Sequence, residues 1–167
     1  MPKENLFSKY PHRVRASTEQ TEVWYVRLSG YYAVHGPVPA SGAGSVVVLL
    51  DGGRIAVCRG KPGRRRKGSE SVRVSPVYGL GPNGPPAVPT GLVFVRFREE
   101  VRIEERRGAL EEAGYTVRHI LSYAPHAAWV QARFGGIAEA LTGIAHLEAL
   151  PDVVSVEPQL LTERVRR

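Results

Sequence analysis

Lys61, Arg64, Arg65, Arg66 and Lys67 crowd into one short stretch between two predicted strands. A loop this basic suits phosphates or an acidic protein surface, or it simply solvates its own charge and discourages edge pairing. A second concentration ends the chain, Glu163-Arg164-Val165-Arg166-Arg167. Catalytic groups form no such concentration. A serine–histidine–aspartate set needs an aspartate to orient its base, and the chain has only Asp51 and Asp152, both in turn sequences. The histidines at 12, 35, 119, 126 and 146 show no i, i+4 ligand pair, and Cys58 is single, which excludes a disulfide framework and a cysteine zinc site. Gly79, Gly81 and Gly84 fall near a dinucleotide-binding pattern, yet Pro85-Pro86 stands where the helix must begin. The residues therefore imply no enzyme, no catalytic residue, no metal, no cofactor and no small-molecule substrate.

The elements that would position these groups divide at about residue 90. Residues 91–167 predict strand, helix, strand, strand, helix, strand. Gly91–Arg98 is an apolar, β-branched run; Ile103, Leu110 and Ala113 make one stripe of a charged surface helix over 101–113 that Gly114 stops. Thr116–Tyr123 and Ala127–Phe134 are strands joined by Ala124-Pro125-His126. In the second, Ala128, Val130 and Ala132 share one face, and Trp129, Gln131 and Arg133 the other. Ile137, Ala140, Leu141, Ile144 and Leu147 stripe a second helix that ends near Pro151, and Val153–Leu161 is the last strand. Two βαβ units in this order predict an α+β fold, a ferredoxin-like four-stranded antiparallel sheet with two helices on one face.

Val93-Phe94-Val95-Arg96-Phe97, Glu111-Glu112-Ala113-Gly114-Tyr115, the hairpin from Tyr123 to Val130 and the run Leu147 to Pro158 resemble the propeptide of subtilisin-type serine proteases, over about half the chain. The resemblance implies a protein that binds a protease rather than one that cleaves. It implies docking through the open sheet face, here Phe94, Arg96, Trp129, Gln131, Arg133 and Glu157. A tail from Gln159 would enter the active-site cleft, with Glu163, Arg164, Val165, Arg166 and Arg167 approaching it and Arg167 nearest the cleavage position; an extended tail of this kind gains main-chain bonds and side-chain pockets. Inhibition, or assistance to the protease's folding, is the implied function. Ala124-Pro125-His126 departs from the family in lacking an acidic residue, and His126 reads as an exposed turn histidine.

The first half predicts a flexible basic arm (1–20), a small β-rich module (21–78) and a Gly/Pro-rich linker or ordered strap (79–90), preceding the propeptide-like domain (91–163) and the basic tail (164–167). Within the module the predicted strands are Thr21–Leu28, Val46–Leu50, Arg54–Arg59 and Val72–Val77, with a loop over 30–44 and a hairpin turn at Asp51-Gly52-Gly53. Residues 1–90 hold 13 Lys and Arg against 5 acids, whereas 91–167 hold 10 against 11, so the chain's net charge of +7 belongs to the first half. A rival function follows: a binding module whose basic loop holds nucleic acid or an acidic protein, with Phe94 and Trp129 as base-stacking aromatics. The RNA-recognition signature is missing, however, and the sheet-bearing half is slightly acidic. No apolar run follows a basic start or reaches the length of a membrane span, which predicts a cytoplasmic protein with no membrane contact.

Overall fold

The computed structural model describes residues 7–36, 46–62, 73–81 and 83–163. Among the described residues nine strands are hydrogen-bonded in one sheet, β1 (Arg13–Arg15), β2 (Trp24–His35), β3 (Val46–Leu50), β4 (Ile55–Arg59), β5 (Arg73–Gly79), β6 (Ala87–Phe97), β7 (Tyr115–Leu121), β8 (Ala124–Ala132) and β9 (Val153–Thr162). The order is β3-β4-β2-β5-β6-β8-β7, with β1 on β2 and β9 on β6, and the described registers are antiparallel. Helical structure is short. A 3-10 turn (Ile103–Arg106) runs into α1 (Arg107–Glu112), and α2 (Ile137–Thr142) and α3 (Ile144–Glu148) flank Gly143.

This overturns the expected ferredoxin-like α+β fold, a four-stranded sheet preceded by a separate β module. The described chain is mostly sheet, and β2 and β6 outrun the predicted strands. β6 starts at Ala87, passes through Gly91 at φ +92° and pairs with β5 at Tyr78↔Ala87 before it pairs with β8. Within the Gly/Pro-rich stretch the Gly84 N–H donates to the Gly81 carbonyl in a tight turn between β5 and β6. β2 likewise continues past Gly30 (φ +82°) to His35, where a loop was expected; its register on β5 shifts between Leu28 and Tyr32, as at a bulge. Pro125 lies inside β8, not in a connection. The turn is Ser122-Tyr123, and a register shift between Ile120 and Leu121 accommodates the proline, which cannot donate to a ladder.

Two compact units are distinguished. One joins the described residues up to Trp24 to Thr90–Gln159; the other comprises Tyr25–Pro89 and the described residues from Leu160. In the first, Val93, Val95, Phe97, Ala128 and Val130 face Ile103, Leu110, Ala140 and Leu147 in one buried cluster. In the second, Ala33, Leu50, Ile55, Val57, Val77 and Val88 form another, with Leu161 packed against it. Residues 13–20 are structured, contrary to the expected flexible arm. Val14 is buried, and Thr18 bonds Val156 through its backbone N–H and its hydroxyl.

Candidate functional site

Alternation on β6 and β8 produces the site. Because Leu92 faces Gln131, Phe94 faces Trp129 and Arg96 faces Ala127, these residues share one side of the sheet while Val93, Val95, Ala128 and Val130 turn into the core. Phe94 and Trp129 meet edge to face, ring centroids 5.3 Å apart at 61°, and both remain half-buried. β7 adds Thr116 beside Gln131 and His119 beside Trp129. Leu92, Gln131 and Thr116 flank the aromatic pair on this half-exposed part of the sheet, so rigid rings and hydrogen-bonding groups lie side by side.

Of the residues expected to dock, Phe94, Arg96, Trp129 and Gln131 are brought together. Arg96 is already engaged, its Nη2 2.6 Å from Glu19 Oε1 in an exposed pair of small energetic weight. Glu157 on β9 accepts a 3.0 Å bond from the Ser17 hydroxyl. Arg133 lies just past the end of β8, exposed, with its guanidinium 5.1 Å from the Phe134 ring. Ser17 and Glu19, which hold Glu157 and Arg96, are absent from the expectation. The sequence signal for them is slight, because Arg13-Val14-Arg15 is too short for a period to show.

The tail is placed only in part. Gln159–Thr162 extend β9, Thr90 Oγ1 donates to Gln159 Oε1 at 2.7 Å, and Leu161 is packed in the second unit's cluster, so these residues are strand and not free tail. Glu163 is exposed; Arg164, Val165, Arg166 and Arg167 lie outside the described residues. Of the basic loop, Lys61 is exposed, and Arg64, Arg65, Arg66 and Lys67 also lie outside them.

Comparison with protein-family models, with curated proteins and with solved structures found no match.

Among the described residues no group of three or more His, Cys, Asp or Glu could hold a metal ion, and no helix is long and apolar enough to cross a membrane. Cys58 is fully buried in β4, and burial pushes its thiol up. His126 is half-buried within β8 rather than exposed in a turn. Asp51 and Asp152 both adopt positive φ, 52° and 68°, as turn residues; Asp152 also accepts a 3.3 Å bond from Arg106.

Proposed function

We propose that this chain is a non-enzymatic, protein-binding module that docks a subtilisin-type serine protease on the face carrying Phe94 and Trp129, and inhibits the protease or assists its folding. The observation that carries the reading is that aromatic pair, held half-exposed on the side of the sheet turned away from the core. Two rings that contact each other before a partner arrives lose little side-chain freedom on binding, which is the property of an interface anchor. The resemblance of 93–97, 111–115, 123–130 and 147–158 to subtilisin propeptides supplies the partner class. Residues from Glu163 onward would supply the cleft-binding segment, a strand-adding tail whose contribution multiplies with that of the face because both belong to one molecule.

The test is inhibition of a panel of subtilisin-type proteases by the full chain, by Trp129→Ala and by a chain ending at Thr162. Loss of a central aromatic anchor costs about 2 kcal/mol, or about thirtyfold in the inhibition constant. Removal of the tail is expected to weaken inhibition by a further order of magnitude or more. Absence of inhibition by the full chain across the whole panel would sink the reading.

A further inference from the structure

A pocket of about 320 Å³ lies in the first unit between β1, the start of β2, the α2–α3 junction and β9, and it shares no residue with the Phe94–Trp129 face. Its floor is apolar, from Val14, Leu141, Ile144 and Ala145. Its wall is Trp24, over whose ring sit two guanidinium groups, Arg13 at 4.4 Å and Arg15 at 5.2 Å from the centroid. β1 places both arginines on one side because they are two residues apart. Arg15 gives Nη1 to Glu148 at 3.4 Å, but its Nε is shielded from solvent and has no hydrogen-bond partner among the described residues. Arg13 has no carboxylate partner among them either. Two cations against one carboxylate leave one positive charge beside an apolar floor, and a buried guanidinium N–H without an acceptor is costly until one arrives.

We propose that this pocket binds a monocarboxylate with a compact apolar body, the carboxylate held by Arg13 and the Arg15 Nε–H and the body lying on Trp24, Leu141 and Ile144. A single negative charge fits because Glu148 repels a second. The size sits at the lower end of small-ligand sites, enough for a branched or aromatic side chain. The same chemistry is offered by a free carboxylic acid and by the terminal residue of a peptide.

The experiment follows the Trp24 indole N–H by NMR, assigned against Trp129→Phe, during titration of the full chain. The probes are 3-phenylpropionate and its amide, and a tripeptide ending in leucine with a free or an amidated terminus. A saturable Trp24 shift with a carboxylate and none with its amide supports the site; a response to the acid alone assigns it to free acids, and a response to the peptide assigns it to chain ends. Arg13→Gln, at an exposed position, is expected to weaken binding about tenfold or more, the worth of a charge-assisted bond. Equal responses to acid and amide, or no Trp24 shift at about 10 mM ligand, which bounds the dissociation constant above the millimolar range, overturn the proposal.

Discussion

His35 and Ser75 form a polar pair within the second unit, His35 Nε2 2.8 Å from Ser75 Oγ. The serine hydroxyl donates to the Pro76 carbonyl, so the imidazole Nε2–H is the donor in the pair. Burial, reinforced by Arg73, lowers the His35 pKa from 6.5 to about 4. Ser75 is fully buried, which denies it to any substrate and makes the pair structural, not nucleophilic. Its consequence is acid sensitivity. Between pH 6.5 and 4 the unfolded chain takes up a proton at this position and the folded chain does not, so stability is complete above 6.5 and declines as pH falls toward 4. The loss amounts to at most about 3 kcal/mol. Urea unfolding at pH 7 and pH 4.5 is expected to show a smaller difference for His35→Gln than for the parent; identical differences would refute the assignment. The aromatic anchors carry the opposite expectation. Trp129→Ala should change inhibition far more than it changes stability, because the side chain is only half-buried.

Gly143 separates α2 from α3, where the apolar stripe from Ile137 to Leu147 predicted one helix. The Ala140 carbonyl, which a continuous helix would offer to the Ile144 N–H, accepts the Tyr115 hydroxyl instead. A Cβ at Gly143 would stand 2.7 Å from that hydroxyl and 3.2 Å from the Glu139 carbonyl. Gly143→Ala is therefore expected to destabilise the protein by about 1–3 kcal/mol despite alanine's better helix propensity. In a Tyr115→Phe background the penalty should shrink, since the nearest clashing atom is gone; a thermal or urea double-mutant cycle measures the difference. This break also shows where sequence reading stops. The Asp51-Gly52-Gly53 turn between β3 and β4 was legible because its cause is local, three successive residues at φ 52°, 64° and 89°. So was the alternation that sets Phe94 and Trp129 on one face. The helix break depends on a tyrosine 28 positions away, the reach of β2 beyond Gly30 depends on β4 and β5, and the early start of β6 depends on Tyr78. The flanking residues of the site, Ser17 and Glu19, are fixed by Glu157 and Arg96, partners that no local pattern identifies.

Each unit has its own buried cluster, and two strands, β6 and β9, contribute residues to both. Leu161 lies in the part of β9 that serves the second cluster, beside Leu28, Tyr31 and Val48. Leu161→Ala is expected to cost about 1–2 kcal/mol, less than a fully buried leucine because the site is partly exposed. Hydrogen exchange should locate the loss. Amide protection at Val57, Val77 and Val88 should fall more than at Val95 and Val130; a uniform fall would show that the two clusters unfold as one. The first unit is assembled from the two ends of its sequence. Thr18 bonds Val156 and Ser17 bonds Glu157 across separations of 138 and 140 residues, and Arg15 reaches Glu148 across 133. On a ribosome, β1 could pair with β2 early, but Ser17 and Thr18 would lack these partners until residues 156 and 157 had been made, by which time the hairpin of β3 and β4 could already have closed. Completion of the first unit thus waits for β9, however early β1 is made.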